Sequence, residues 1–316
     1  MVPSGIPNSL AALAPPISLA SFTACTLYSW SYLRATLNTS LFSWFYYEIL
    51  ENKLSTFFIP HHIECVGEIA DASDSYFQNG QKVVALMGGM GRSFHGSYAE
   101  YALLPVHHVF SVSSDLPWEE LAAVPETYFT AWGSLFECLD LTPNDTLLVR
   151  GGTCALGYAA IQIAKAYGCK IIATTHKESK LPLLDMADTA ILDTGHLAGT
   201  LSGVTKALEL VGPKTLYDTL RCTEKGGIIC NTGILGGVFT LNGFDPIKFI
   251  PNGIYLTGFH SNWPTQEIIQ NIFTFLSKHQ LKPHIGKCFP FSKIQDACIA
   301  LDHGSVNGKI VVTLSE

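Results

Sequence analysis

The stretch "LLVRGGTCALGYAAIQIAKAYGCKIIATTHKESK", Leu147 to Lys180, decides how the chain is read. A short apolar run ends at Arg150, two glycines follow, and apolar residues then recur at helical spacing as far as Tyr167. A second apolar run begins at Lys170. The pattern predicts a strand over 146–150, a helix over 156–167 and a strand over 170–174. Gly151 and Gly152 occupy the turn, and Gly157 falls in the first helical turn.

A strand that feeds a helix through glycines aims backbone N–H groups and the positive helix end at an anion. The amides of Thr153, Cys154, Ala155 and Leu156 are the candidate donors to a diphosphate; a tight structural turn is the other reading of the same glycines. The end of the second strand chooses between dinucleotides. A carboxylate there suits a free ribose 2′-hydroxyl, whereas hydroxyls and cations suit a 2′-phosphate. Here the chain offers Thr174, Thr175, His176, Lys177 and Lys180, with Glu178 further along. As a group these predict NADPH, although Lys177 alone fits a solvated loop equally well.

Working outward, strand and helix keep alternating: helix at 180–186, strand at 189–192, then strands at 215–218, 227–231 and 253–257. Such alternation is the mark of a parallel sheet with covering helices. Before position 111 the chain is β-rich, with "CVGEIADA", the turn "DSYFQNGQ" and "QKVVALM" reading as antiparallel strands. A helix begins near Pro117, another runs over 292–301, and "GKIVVTLSE" is a last strand. The fold class is therefore α/β, a β-rich domain joined to a doubly wound one.

Composition excludes several functions. Charged residues are 14% of the 316, against about 25% in ordinary globular chains. The net charge is −7 and no basic run exists, so nucleic acid is not a partner. The nine cysteines include no C-x-x-C pair, which argues against a disulfide framework or a zinc knuckle and fits a cytoplasmic setting. No charged residue or histidine precedes Arg34, and Ile17–Leu33 is mildly apolar, yet its four serines and two threonines suit neither a membrane span nor a basic-headed signal peptide.

With "GGMGRSFHGSYAEYALLP", "LAAVPETYFTAWGSLF" and "LLVRGGTCALGYAAIQIAKAYG" together, the chain resembles the medium-chain dehydrogenase/reductase superfamily, in its zinc-independent quinone-oxidoreductase-like branch. The similarity runs from about Ile63 to the C-terminus. It implies a GroES-like domain over 35–120 and 265–316, a Rossmann domain over 121–264, and an atypical segment over 1–34 without a strand-like counterpart. Zinc-type members carry G-H-E-x-x-G; "HIECVG" has His62 at the first glycine, Ile63 at the histidine and keeps Glu64, while Glu126 stands where a cysteine would be. No metal is expected.

The resemblance also assigns residues. Thr130 and the "NTGILGG" turn, with Thr232, Gly233 and Ile234, should flank the nicotinamide. Thr257, Asn307 and Lys309 should close the cofactor cleft, and Asn38 in "ATLNTSLF" belongs to a shortened substrate-pocket motif. The proton comes from Tyr128, from another pocket group or from water. Three readings compete: an NADPH-dependent reductase of quinones or conjugated enones (a tailoring enzyme of polyketide-type metabolism among its forms), an NADP-binding protein with weak catalysis, and a zinc-free carbonyl or alcohol dehydrogenase. The partners implied are a small-molecule substrate and, through "NGIYLTGFH" at a sheet edge, a second copy of the chain in a homodimer.

Overall fold

Alternate residues of a strand face opposite sides of its sheet. In β7 (Thr146–Arg150), Leu147 and Val149 enter the core beneath the long helix, while Leu148 enters a second core on the other face. A strand buried on both faces belongs in the middle of a parallel sheet, and that is its place in the computed structural model, which describes residues 10–14, 21–23, 62–73 and 75–314.

The sheet contains β7, β8 (Lys170–Thr175), β9 (Thr189–Leu192), β10 (Val204–Glu209), β11 (Thr223–Asn231) and β12 (Tyr255–Gly258). All neighbours are parallel, in the order β12-β11-β10-β7-β8-β9. The order reverses at β7, the position at which a doubly wound sheet opens a crevice beyond its strand ends. The first expected strand matches β7 to the residue, and the glycine turn leads into a helix at Ala155–Tyr167 that ends at Gly168 with φ of 103°.

Two expectations fail in this half. Residues 215–218 are not a strand: Thr215 precedes a helix at Leu216–Cys222, and the strand is β10. The interior Lys206 and terminal Glu209 of β10 hid its pattern, although Ala207 and Leu208 are fully buried. The helix expected over 180–186 is a 3-10 segment at Glu178–Leu184, with Pro182 inside it removing a backbone donor.

The β-rich half is a five-stranded antiparallel sheet of β1 (Leu10–Ala14), β3 (Glu64–Asp71), β4 (Lys82–Leu86), β5 (Ala102–Pro105) and β6 (Val109–Ser111), in the order β5-β1-β3-β4-β6. A three-stranded sheet joins β13 (Ile285–Pro290) and β14 (Lys309–Thr313) to β2 (Ser21–Thr23). The expectation that the first 34 residues hold no strand is thereby corrected. β1 sits between β3 and β5, and β2 pairs with β14. "LAALA" lacks the β-branched residues that announce a strand; partners distant in sequence pair its backbone. The "ATLNTSLF" motif with Asn38 lies outside the described residues. No described helix is long and apolar enough to cross a membrane.

Between the halves, α1 (Trp118–Ala122) and α2 (Pro125–Trp132) lead into a π-helical segment at Gly133–Cys138, and α6 (Gln266–Lys278) packs on α2. Numbered in the same order, α3 is the helix Ala155–Tyr167, α4 is Leu216–Cys222, α5 is Pro246–Phe249 and α7 is Ile294–Asp302.

Candidate active site

The turn after β7 is built by close approach. Gly151 has φ of 93°, in the region that favours glycine. A Cβ on Gly157 would lie 2.5 Å from the carbonyl oxygen of Gly152, so only glycine lets α3 start this near the strand. Gly152 N donates to Thr174 O at 2.8 Å, Gly151 N to Thr174 Oγ1 at 3.2 Å, and Gly157 N to Cys154 Sγ at 3.3 Å. Cys154 also forms an isolated bridge with Gly308, which joins the turn to the C-terminal segment.

A cavity of about 530 Å³ opens over this turn. Gly151, Thr153, Cys154, Ala155 and Leu156 line it beside Thr174, Thr175, His176, Lys177 and Lys180. Gly152 and Gly157 lie beneath, as the packing pair. The structure thus brings together the turn and the β8 end that the sequence singled out. Residues 300–304 and Gly308 also line the cavity.

One end of the cavity is cationic. Lys177, Lys180 and Lys214 all line it. Burial pulls the His176 imidazole below its usual value, and Lys177, Lys180 and Lys214 pull it further. Lys180 is itself lowered, by burial and by Lys177. Three lysines and a histidine held together at one cavity end favour an anion there, with the Asp193 carboxylate, which acts on His176 in the opposite sense, tied to Arg150. Lys214 was missed in the sequence; its stem lies over Gly236, where an added Cβ would be 2.9 Å from Lys214 Cβ.

Arg150, the last residue of β7, was missed as well. It is fully buried and grips Asp193 with two bonds, Nε to Oδ2 at 2.7 Å and Nη2 to Oδ1 at 2.9 Å. Its Nη1 pairs with Asp218 at 2.8 Å and donates to Thr219 Oγ1 at 2.8 Å. Asp193 lines the cavity and accepts from Thr174 Oγ1 at 3.3 Å. Burial raises the Asp193 carboxyl, but the Arg150 hydrogen bonds and charge outweigh it and hold the group below the usual range. Nearby, buried Glu209 accepts from Val211 N, Gly212 N and Thr219 Oγ1, and desolvation raises its carboxyl. The signal in sequence was an arginine at the end of an otherwise apolar strand.

The remaining expected residues lie outside this cavity's wall. Thr232 N and Gly233 N donate to Glu209 O, and Leu235 N to Leu210 O, which lays the "NTGILGG" turn with Ile234 along the chain after β10. Thr257 lies on β12 opposite Cys230 of β11. Thr130 Oγ1 donates to Glu126 Oε1 at 2.8 Å, and both residues are buried. Asn307 follows Val306, a wall residue, but its Oδ1 is buried without a hydrogen-bond partner.

Lys309 and Tyr128 are committed elsewhere. Lys309 Nζ pairs with Glu64 Oε1 at 2.5 Å and donates to Thr127 Oγ1 at 2.8 Å, within the buried joint between the halves. It does not reach the cavity because the carboxylate beneath it holds its ammonium. The Tyr128 hydroxyl donates to Gln162 Oε1, the residue is 1% exposed, and desolvation pushes the phenol up. Glu64 Oε2 accepts from Glu126 N at 2.8 Å, and Ile63 is buried beside it. Among the described residues no three His, Cys, Asp or Glu side chains form a group that could hold a metal.

Comparison with known proteins places this architecture. The family model described as zinc-binding dehydrogenase matches residues 186–312. Human quinone oxidoreductase is 29% identical over 266 residues, spanning 80% of this chain and 77% of that protein. A highly reducing polyketide synthase from a Cryptosporiopsis species is 25% identical over 78% of this chain and 11% of its own length. The yhdH oxidoreductase from Salmonella enterica, solved in complex with NADP, shares the fold with a TM-score of 0.76 at 18% identity, covering 100% of this chain and 94% of that one. By fold, strand order, glycine turn and these likenesses, the chain is similar to the medium-chain dehydrogenase/reductase superfamily and, within it, to the quinone oxidoreductases.

Proposed function

We propose that the chain is an NADPH-dependent reductase of quinones or conjugated enones that works without zinc. The observation that carries this is the pairing, across one 530 Å³ cavity, of a glycine turn with no room for side chains and a cluster of Lys177, Lys180, Lys214 and His176. The turn fits a diphosphate and the cations fit a 2′-phosphate. The Salmonella relative solved with NADP favours the same cofactor.

Bound NADPH would supply a hydride. The chain's own part is binding and orientation: backbone N–H groups of Thr153 to Leu156 face the diphosphate, and Thr174, Thr175, His176, Lys177 and Lys180 hold the adenosine end. Thr130, Thr232, Gly233 and Ile234 flank the reacting ring, with Thr257 and Asn307 closing the cleft and Asn38 serving the substrate. Tyr128 is bonded to Gln162, so water is the proton source in this reading. Ile63 and Glu126 stand where zinc-type relatives place ligands, and neither is available, Glu126 being bonded to Thr130. Without a Lewis acid the acceptor must spread its own negative charge, as a quinone or an enone does. The likeness to a polyketide synthase favours an enone of that metabolism.

The domain reading remains 35–120 with 265–316 around 121–264. β12 ends the parallel sheet and exposes Tyr255 at 62%, which supports a homodimer through this edge. The eight described cysteines are all free, in keeping with the cytoplasm. The experiment is steady-state NADPH and NADH oxidation over a panel of quinones, enones and carbonyls, with metal content measured on the same protein. NADPH preference, turnover of the first two classes and no stoichiometric metal are expected. One tightly bound zinc per chain, or turnover of simple alcohols with NADP, would overturn the reading; tight binding without turnover would make it a cofactor-binding protein.

A further inference from the structure

We propose that Cys138 and Cys230 are a redox-active thiol pair that closes to a disulfide beside the parallel sheet. They are 92 residues apart in sequence and meet through the fold alone. Cys138 ends the π-helical segment Gly133–Cys138, and Cys230 is the penultimate residue of β11. Cys138 Sγ sits over Gly258 at the end of β12, and Cys230 lies on the adjacent strand, where Cys230 pairs in register with Thr257 and Asn231 with Gly258. Cys138 Sγ faces Gly258 O at 3.6 Å, and the Thr257 hydroxyl contacts it. Cys230 is fully buried, and its Sγ meets Thr232 Oγ1 at 3.1 Å. Thr232 Oγ1 in turn meets Ser134 Oγ at 2.9 Å. π-Helical turns are rare and recur at functional positions; here the extra residue in the turn carries Cys138 to the ends of β11 and β12.

The two thiols differ in the way exchange chemistry requires. The Cys230 hydrogen bond lowers the Cys138 thiol to about 7 against opposing burial, while the same bond and burial raise that of Cys230. Cys138 is half-exposed and is the attacking thiolate; Cys230 keeps its proton until the second step. The balance is two thiols plus a two-electron, two-proton acceptor. With an azo oxidant, the Cys138 thiolate adds to one nitrogen, and Cys230 sulfur then displaces the adduct. The S–S bond forms, and the N=N group leaves as a hydrazine carrying both protons. A quinone accepts the same two electrons and protons as it becomes a hydroquinone. Closing the bond withdraws Cys230 from Thr232, so its effect on activity rests on the proposed function, whereas the pair itself does not.

The test treats the full chain with diamide, quenches, denatures and alkylates. Nine cysteines are present in the sequence. Seven alkylated thiols are expected, nine after dithiothreitol, with one cross-linked peptide joining Cys138 to Cys230. C138S and C230S should each abolish that peptide, while C288S at an exposed site should leave it. Nine alkylated thiols after diamide, or a cross-link lacking either residue, would overturn the proposal. The thiol count is read without cofactor, so an inactive protein with an intact cross-link would count against the reductase reading alone.

Discussion

Replacing Arg150 by methionine tests the link between the buried ion cluster and the proposed cofactor site. Methionine keeps much of the stem and deletes the charge. It leaves Asp193 without its bidentate partner and Asp218 without its 2.8 Å pair, in a region that already holds buried Glu209. Removing one partner of a buried pair costs about 3–5 kcal/mol, which lowers Tm by roughly 6–15 °C at about 2–3 °C per kcal/mol. The second effect concerns binding. Asp193 lines the cavity, and an unscreened carboxylate at about 8 Å from a phosphate charge opposes it by about 2 kcal/mol at an effective dielectric near 20. NADPH affinity should fall more than tenfold, NADH affinity much less. R150M/D193N removes the orphaned acid and should recover about half of both losses. Differential scanning fluorimetry and cofactor titration by fluorescence measure the two quantities. An R150M protein within about 1 kcal/mol of the parent that keeps its NADPH affinity would refute the reasoning, as would failure of Asp193→Asn to rescue. Acid stability adds a check, since a carboxyl held low stabilises above the usual carboxylate range and loses that contribution as pH falls through its depressed value. R150M should show a weaker acid limb.

Lys309→Met should destabilise by about 3–5 kcal/mol because it orphans Glu64 Oε1, and K309M/E64L should cost at least 1 kcal/mol less than the sum of the single changes in a double-mutant cycle. His176 is held below its usual value by burial and three lysines, so a bound 2′-phosphate should raise it; NADPH affinity should improve as pH falls through the raised value of the complex and level off below the depressed value of the free protein, with NADH flat and H176N removing the trend in titrations across this range. Gly157→Ala puts a Cβ 2.5 Å from Gly152 O, and forcing the turn apart should cost about 1–3 kcal/mol and weaken NADPH binding in the same fluorescence assay.

The parts legible in the sequence were those governed by local chemistry. The strand–turn–helix around Gly151, Gly152 and Gly157 follows from periodicity and from the glycines' conformations, and the six-stranded sheet grew outward from it. β10 escaped because Lys206 and Glu209 interrupt its apolar run, and Glu209 has a buried task that composition cannot reveal. Leu10–Ala14 escaped because its pairing depends on β3 and β5, more than 50 residues away in sequence by a rough count, not on its own propensity. Within the candidate site, the β8 end was readable because its residues are adjacent. Lys214 was not: it reaches the same cavity from the loop after β10, 34 positions beyond Lys180.

The joint between the halves gives Lys309 and Tyr128 buried partners that motif position does not reveal. A lysine two residues after Asn307, in a segment lining a cleft, looks available to a ligand. In the folded chain Glu64 lies beneath it, and the same carboxylate bridges three segments: β3, the start of α2 through Glu126 N, and β14 through Lys309. An unpaired Glu64 in that position would be costly, so its presence commits a cation. Tyr128 follows from the same geometry. α2 is held by Glu64 at its N-terminus, and its next turn faces α3, where Gln162 takes the phenol proton's hydrogen bond and Lys282 O binds the Gln162 amide. Thr130, one turn on from Glu126, is oriented by that side chain. The Glu64–Lys309 pair therefore builds the seam that fixes α2, and any group that α2 presents inherits its position from that carboxylate–lysine pair.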